Sequence, residues 1–243
     1  MKKLLIGNWK MNPDSPDRAE EIFSAVKKSP GSTDVEVVII APDIYIPLFK
    51  NRGISLGSQN IHYEEEGAFT GETSAKMVKN SGCKYVLVGH SERRRLFNEK
   101  DEEVKKKIIV ALENDLIPIL CVGETKVEKN KRLTSKVIKG QLEEALTGID
   151  FDRLVVGYEP VWAIGSGEAC NPETAFKMRL LIKKTLTQLT DRQTAEEIPI
   201  VYGGSVNLGN CKRYVNEAKF NGLLVGGASL RAKEFSRMAI EIS

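Results

Sequence analysis

The sequence predicts an α/β fold in which parallel strands close into a single-domain (β/α)8 barrel. Eight short runs rich in Val, Ile and Leu recur along the chain, and patterns typical of amphipathic helices separate them. Such an alternation requires parallel strands joined by crossover helices. The 243 residues contain no linker-like stretch, so we expect one domain spanning residues 1–243. These observations favour a closed barrel, with an open doubly wound sheet as the alternative.

The eight predicted strands are the nearly continuous apolar runs of the chain. Continuous rather than alternating apolar residues are typical of strands that are covered on both faces. The runs are 4–9, 35–41, 54–59, 85–89, 117–123, 154–159, 198–203 and 223–227.

Helical patterns fill the segments between these runs. Apolar residues recur at helical spacing in the segment 104–112, and again from Leu133 to Leu146, with Leu133 expected to face inward. Asn171 followed by Pro172 predicts a helix start, because asparagine caps helices and proline suits their first turn.

Composition and charge argue against several classes of function. The net charge is only +3, and the lysine run 105–107 lies in a helical pattern, which favours a solvated face over a nucleic-acid site. Two histidines leave no His-rich metal site, and four widely spaced cysteines predict reduced thiols. The apolar start of the chain is too short for a secretory leader, and no run could span a membrane. We therefore expect a cytoplasmic protein that binds neither nucleic acid nor membranes.

Polar residues stand where several predicted strands end. Asn8 and Lys10 follow the first run, His90 follows the fourth, and Glu159 ends the sixth. Parallel α/β folds bind ligands at the carboxyl ends of their strands. Although these residues are far apart in the sequence, we expect them to meet on one rim of the barrel.

Two glycine pairs, 203–204 and 226–227, stand between a predicted strand and a helix start. A tight turn would by itself explain one such pair. Two pairs on the last two strands of a barrel match the usual phosphate site of that fold, where backbone N–H groups bind the anion. We therefore favour a phosphate site, and the absence of a G-x-x-x-x-G-K-[ST] stretch argues against a nucleotide P-loop.

Lys10 and His90 are candidates for stabilising negative charge on a substrate. Most lysines are solvated, but Lys10 lies between a tryptophan and a methionine and could face an oxyanion. His90 precedes a predicted helix start, which disfavours an imidazolium, and a neutral ring can donate and recover a proton. A hydrogen-bonded histidine near a strand end is the simpler alternative. Glu92 and Arg93 are interpreted as a supporting ion pair, and residues 94–95 as surface charges.

Glu159 stands at the end of a predicted buried strand, directly before Pro160. A solvated strand end is one interpretation. The segment 161–167 runs from bulky apolar residues to glycines, which predicts a hinged lid, although a tryptophan packed on the strand end would also fit. Closure of a lid would remove water from Glu159, raise its pKa and make it a better base.

The polar loop around His62 and the glutamates 64–66 is expected to be solvated. Its tip, residues 67–71, is instead apolar and rich in glycine. An apolar tip is unusual on an exposed surface, so we expect it to contact another chain.

Six stretches together closely resemble the triosephosphate isomerase family. They occur in the family's order from Lys3 to about Leu230, and the set is far more specific than any one stretch. They are GNWKMN, QNIHYEEEGAFTGETS, GHSERR, YEPVWAIGSG, YGGSV and GLLVGGASL. The resemblance implies a TIM barrel and an isomerase of glycolysis and gluconeogenesis that needs no cofactor or metal. Its implied substrates are small phosphorylated trioses, D-glyceraldehyde 3-phosphate and dihydroxyacetone phosphate.

The resemblance also implies a role for each candidate residue. Glu159 would be the base that moves a proton between two carbons, His90 the neutral proton shuttle, and Lys10 the cation that stabilises the enediolate. The implied substrate-binding residues are Asn8, Lys10, Gly165, Ser205, Gly226 and Gly227. Glu92 would support the site, and Ile164 and Leu224 would clamp Glu159. The family is typically homodimeric, with Thr70 at the tip of the docking loop.

The end of the lid departs from the family pattern at three positions. Ser166, Glu168 and Cys170 stand where the family often has threonine, lysine and alanine. Glu168 reverses a charge, which affects lid kinetics rather than chemistry. The family residue matching Cys170 is held through its backbone by the tyrosine matching Tyr202, and the thiol here would be oxidisable if exposed.

Two other functions fit parts of the sequence. Another phosphosugar isomerase of the same fold would share the glycine turns, and a barrel kept as a scaffold protein would share the fold alone. The joint presence of Lys10, His90 and Glu159 favours the triose isomerase, because a scaffold needs none of them.

Overall fold

Eight parallel strands form a closed barrel in the computed structural model, which describes residues 2–29, 32–151, 153–165 and 168–243. The strands are β1 Lys3–Asn8, β2 Val35–Ile40, β3 Ser55–Ser58, β4 Tyr85–Val88, β5 Ile117–Val122, β6 Val155–Tyr158, β7 Ile200–Tyr202 and β8 Gly222–Val225. All eight predicted strands are confirmed, and β1 pairs with both β2 and β8, which excludes the open sheet.

The strands are covered on both faces, as their continuous apolar runs predict. In β1, Leu4 and Ile6 point into the barrel, and Leu5 between them packs against the surrounding helices. Successive side chains of a strand point to opposite faces, so both faces must be apolar here. The interior cluster consists of Leu4, Ile6, Val38, Ile40, Tyr85, Leu87, Ile119, Cys121, Val155, Val201 and Leu224.

Eleven α-helices lie among the described residues. They are α1 Pro16–Lys28, α2 Ile46–Phe49, α3 Ala75–Asn80, α4 Ser91–Leu96, α5 Asp101–Glu113, α6 Lys126–Asn130, α7 Thr134–Leu146, α8 Pro172–Leu189, α9 Arg192–Glu197, α10 Cys211–Asn216 and α11 Ala232–Glu241. None of them is long and apolar enough to cross a membrane. Asn171 caps α8 as predicted, since its side chain accepts a hydrogen bond from the Glu173 backbone at 2.8 Å.

Two expectations about helix faces are wrong. Leu133 does not face inward but is 38% exposed, because α7 begins after it and the chain turns at Arg132, which has a φ of 60°. Lys107 of the lysine run is buried rather than solvated. Its ammonium pairs with Glu99 and donates to the Asn60 side chain at 2.7 Å, and these partners offset the loss of water around the charge.

Candidate active site

A cavity of about 330 Å³ opens at the carboxyl ends of the strands. It brings together all residues for which the sequence predicted a catalytic or substrate-binding role. The lining consists of Asn8, Lys10, His90, Glu159, Ile164, Gly165, Gly203, Gly204, Ser205, Val206, Asn207, Leu224, Gly226, Gly227, Ala228 and Arg231. The supporting residues Ile164 and Leu224 are also in the wall, whereas Glu92 and Thr70 lie outside it.

Glu159 follows β6 directly and is 2% exposed, so it is not a solvated strand end. Its Oε2 accepts a hydrogen bond from the Ser91 backbone N–H at 3.0 Å, and its Oε1 lies 3.0 Å from Nε2 of His90. Burial by itself raises the pKa of Glu159, but His90, by its charge when protonated and by its hydrogen bond, and the Ser91 amide lower it below its ordinary value. The carboxylate is therefore held as an anion in this arrangement.

The expected rise in the pKa of Glu159 requires it to leave these two donors. While Ser91 and His90 bind the carboxylate, their stabilisation of the charge outweighs its removal from water. A carboxylate turned into the cavity would lose them and keep the burial. The geometry thus makes a movement of Glu159 part of any mechanism that uses it as a base.

His90 caps α4, and this contact selects a tautomer of its ring. Its Nδ1 accepts a hydrogen bond from the Glu92 backbone N–H at 3.2 Å, which requires a lone pair on Nδ1. The proton of the neutral ring therefore lies on Nε2, which faces Glu159 and the Asn8 amide, 3.4 Å away.

Two influences act in opposite directions on the charge of His90. Burial lowers its pKa, but the Glu159 carboxylate raises it, and the net pKa lies above the ordinary value. The backbone N–H of Glu92 opposes a second proton on the ring, because a protonated Nδ1 could no longer accept its hydrogen bond. We assign the neutral ring, since protonation would break this bond at the start of α4.

Lys10 is placed by its backbone as much as by its side chain. Its φ of 54° is left-handed, an uncommon conformation for a lysine, and such strain is typical of functional sites. Its N–H donates to the Asn8 side chain at 3.0 Å, and its carbonyl accepts from the Gln59 amide at 2.7 Å. These bonds hold the turn, and Glu92 forms an ion pair with the ammonium.

Two glycines allow His90 and Glu159 to approach each other. Gly89 has a φ of 69°, which lets the chain turn from β4 directly into α4. A Cβ on Gly123, after β5, would overlap the backbone carbonyl of Glu159. A larger residue at either position would displace one of the two side chains.

The two late glycine turns supply unpaired backbone donors to the cavity. Within the described chain, no residue accepts a hydrogen bond from the N–H groups of Ser205, Gly226 or Gly227. Backbone donors that lack a partner are rare away from water, and grouped donors suit an anion. Arg231 also lines this cavity, and its positive charge would attract the same anion.

The first part of the predicted lid is a short 3₁₀ segment, Val161–Ala163, next to β5. Trp162 is half-buried, and its indole N–H donates to Glu124 at 2.8 Å, while Lys129 lies 3.0 Å from the ring centroid. Ile164 then lines the cavity, as does Leu224. Trp162 thus packs at the strand end, and Ile164 and Gly165 after it line the cavity.

The far end of the predicted lid meets the barrel at Cys170. This residue is 1% exposed, and burial raises the pKa of its thiol to about 12, so the condition for easy oxidation is not met. Glu168 pairs with Lys126 at 3.6 Å, and both side chains are more than half exposed, so this pair contributes little. Residues 166–167, which include the predicted hinge positions Ser166 and Gly167, lie outside the described residues.

The charged residues after His90 pair differently from the expectation. Glu92 pairs with Lys10, and Arg93 pairs with Glu99 at 3.2 Å, so the expected Glu92–Arg93 pair is wrong. Arg94 is not a surface charge. It donates to the Gly89 carbonyl at 2.7 Å and pairs with Asp101 at 2.5 Å, because α4 turns it under the strand end.

The loop at 62–71 is solvated only in part. The glutamates 64–66 are exposed as expected, but His62 packs against Tyr63 and Phe69, with ring centroids 4.4 and 4.2 Å apart. Phe69 is 43% exposed, and Thr70 next to it is also exposed. The apolar tip is therefore exposed, and the packed rings of His62, Tyr63 and Phe69 support it.

Two residues near the cavity were missed by the sequence reasoning. Glu124 follows β5 and is 2% exposed, and the rule that selected polar residues at strand ends would also have selected it. Arg231 follows the short 3₁₀ segment Gly227–Leu230, and no periodicity or spacing singles it out.

Comparison with known proteins agrees with this geometry. The sequence profile of the family described as triosephosphate isomerase matches residues 3–242. A triosephosphate isomerase from Aquifex aeolicus (strain VF5) is 42% identical over 244 residues, which cover 98% of the chain and 98% of that relative. Both similarities extend through every element that contributes to the cavity.

Proposed function

The chain belongs to the triosephosphate isomerase family, and we propose that Glu159, His90 and Lys10 carry out the isomerisation at the rim cavity. The protein interconverts D-glyceraldehyde 3-phosphate and dihydroxyacetone phosphate, a reaction of glycolysis and gluconeogenesis. The interconversion passes through an enediolate by general acid–base proton transfer.

Glu159 acts as the base. A proton next to a carbonyl group is only weakly acidic, so its removal needs a well-placed base of raised pKa. Turning into the cavity separates the carboxylate from Ser91 and His90, and closure of Ile164 and Leu224 over it excludes water. Both changes raise the pKa of Glu159 and allow it to return the proton to the neighbouring carbon.

His90 and Lys10 act on the oxygens of the same substrate. The Nε2–H of the neutral His90 ring donates to the carbonyl oxygen and shuttles protons between the two oxygens. The ammonium of Lys10 stabilises the charge that develops on the enediolate. Asn8 helps to hold the substrate, and Glu92 keeps the lysine in place.

The phosphate is bound away from the reacting carbons. The N–H groups of Gly165, Ser205, Gly226 and Gly227 bind its oxygens, and this energy drives closure of the lid. A closed lid also retains the enediolate, which would lose phosphate in water.

The observation that carries the proposal is the shared cavity. Lys10, His90 and Glu159, from the first, fourth and sixth β/α units, line the same cavity of about 330 Å³ as the backbone N–H groups of the two late glycine turns. We expect the purified protein to convert glyceraldehyde 3-phosphate in a coupled assay, with unchanged rate after treatment with a chelator. Larger phosphosugars should not be converted. A preference for them would favour the other barrel isomerase, and inactivity towards all would favour a scaffold.

We further propose that the protein is a homodimer. Large apolar side chains are exposed in the connections after the first four strands, which are neighbours in the barrel. Met11 is 94% exposed, Ile44 77% and Phe97 67%, and the apolar tip with Phe69 lies in the same group. An exposed group of this kind marks a protein–protein interface. A second copy fits it, with Thr70 docking beside the partner's cavity.

Replacing Thr70 by arginine should shift the dimer towards monomer. The long charged side chain would have to be buried without a partner at the docked tip. Sedimentation velocity over a range of concentrations measures the shift. Thr187→Arg adds the same side chain on the exposed side of α8 and should leave the dimer intact. An unchanged sedimentation coefficient for both variants would contradict docking through this loop.

The remaining proposals concern the domain and the compartment. We take residues 1–243 as one domain, since β1 and β8 close the same barrel. All four cysteines are buried and unpaired. Unpaired thiols suit a reducing compartment, which supports a cytoplasmic location.

A further inference from the structure

The C-terminal end of the lid is held by two tyrosines from different elements. Tyr202 is the last residue of β7, and Tyr214 lies in α10. The backbone N–H of Cys170 donates to the Tyr202 hydroxyl at 3.3 Å. The Tyr214 hydroxyl donates to the Cys170 carbonyl at 2.8 Å. Both the N–H and the carbonyl of one residue are therefore fixed by side chains of the barrel.

We name this arrangement of Tyr202 and Tyr214 on Cys170 the tyrosine clasp. It is well packed and excluded from solvent. Tyr202 is 0% exposed, and Tyr214 and Cys170 are each 1% exposed. The two rings stack with centroids 3.7 Å apart and planes 12° apart. Burial raises the pKa of both hydroxyls, so they remain protonated and can hydrogen-bond at neutral pH.

The clasp also touches the turn that is proposed to bind phosphate. A Cβ on Gly204 would overlap the Tyr202 hydroxyl, so the backbone of this turn packs directly on the clasp. On the other side, Asn171 caps α8 immediately after Cys170. Cys170, which directly follows the lid, thus connects it both to the proposed phosphate-binding turn at Gly204 and to α8.

We propose that Tyr214 is a positioning residue for the isomerisation: by holding the Cys170 carbonyl, it fixes the pivot from which the lid closes over the cavity. This inference rests on the proposed role of residues 161–169 as a lid. With the carbonyl held, rotation is confined to the residues before Cys170, and the lid returns to one closed position. Without this bond the pivot gains freedom, and closure over the enediolate becomes less complete.

The test compares isomerisation with loss of phosphate from the intermediate. When the enediolate is not retained, its C–O bond to phosphate breaks, and inorganic phosphate leaves with the electron pair. The remaining enol becomes methylglyoxal without an oxidant or reductant. Phosphate released per isomerisation turnover is a ratio, so it does not depend on how much of a variant is folded.

Tyr214→Phe keeps the stacked ring and removes only the hydroxyl. We expect kcat/KM to fall by about three- to tenfold, as for one net hydrogen bond, and the phosphate released per turnover to rise by a similar factor. Tyr202→Phe removes the other half of the clasp and should change the ratio in the same direction. Tyr85→Phe is the matched control, because its hydroxyl donates to Glu36 at 3.0 Å at the opposite end of the barrel.

Ile164→Ala, which shortens the lid residue in the cavity wall, separates the possible failures. If Ile164→Ala raises the ratio and Tyr214→Phe does not, Tyr214 has only a structural role and the proposal is overturned, whatever the result for Tyr202→Phe. If Ile164→Ala also leaves the ratio unchanged, the lid role itself fails and the proposal falls with it. An equal rise in Tyr85→Phe would likewise overturn it, since any lost tyrosine hydroxyl would then suffice.

Discussion

Replacing Glu159 by alanine should lower turnover by about 10³- to 10⁴-fold, the contribution of a well-placed general base. The carboxylate is buried in the cavity wall between Ser91 and His90, and no other described carboxylate lines the cavity. A coupled assay measures the loss, and Glu173→Ala, which removes an exposed carboxylate on α8, should have no effect.

The fold and the phosphate site should survive this change. A buried carboxylate is expensive to remove from water, so alanine relieves that cost while it leaves Ser91 N–H and His90 without one partner. We expect a small change in the unfolding midpoint and unchanged binding of inorganic phosphate. Unaltered turnover in a folded Glu159→Ala variant would refute the assignment of the base.

The pH dependence of the wild-type enzyme provides a separate check on Glu159. The base must be ionised, and its pKa lies below the ordinary value of 4.5 while His90 and Ser91 bind it. The profile of kcat/KM reports the enzyme before substrate binds. After correction for ionisation of the substrate phosphate, the limb that belongs to Glu159 should therefore lie below pH 4.5, and protonation of His90, whose pKa lies above its ordinary value, should give a separate limb at higher pH. A second acidic limb above pH 4.5 would contradict the arrangement of Glu159, Ser91 and His90.

Much of the barrel was predictable because its strands are covered on both faces. The continuous runs of Val, Ile and Leu record that coverage, and β1 shows it directly, with Leu4 and Ile6 inside and Leu5 outside. The ends were less well predicted. The run at 198–203 extends two residues before β7, which begins at Ile200, because apolar residues continue into the loop that precedes the strand.

The candidate site was predictable where a strand end carries a polar residue. Asn8, His90 and Glu159 follow this rule, and the parallel topology brings them to one rim. Pairings between side chains were not predictable, because they depend on distances between distant segments. Glu92 lies beside Arg93 in the sequence but pairs with Lys10, 82 positions away.

The tyrosine clasp shows a further limit of sequence reasoning. Tyr214 lies in an ordinary amphipathic helix, and nothing in its neighbours marks it as more than a core residue. Only the position of α10 against the end of the lid gives its hydroxyl the Cys170 carbonyl as acceptor. Contacts of this kind follow from packing between elements rather than from any local pattern.

Replacing His90 by glutamine should lower turnover by about 10²-fold or more, with little loss of affinity for inhibitors that carry a phosphate. In the proposed mechanism the ring passes protons only during the reaction, whereas backbone N–H groups of the glycine turns bind the phosphate. Steady-state kinetics and inhibitor titration separate the two. A loss of affinity alone would make His90 a binding residue.

His90 also caps α4, so its catalytic and structural contributions must be distinguished. Asparagine at position 90 places a short side-chain oxygen where Nδ1 accepts from the Glu92 N–H, and asparagine is a good cap. Glutamine instead places its amide closer to the position of Nε2. If His90 acts by proton transfer, both variants lose turnover although His90→Asn retains the cap. If His90→Asn kept wild-type turnover while His90→Gln lost it, the residue would serve the helix rather than the reaction.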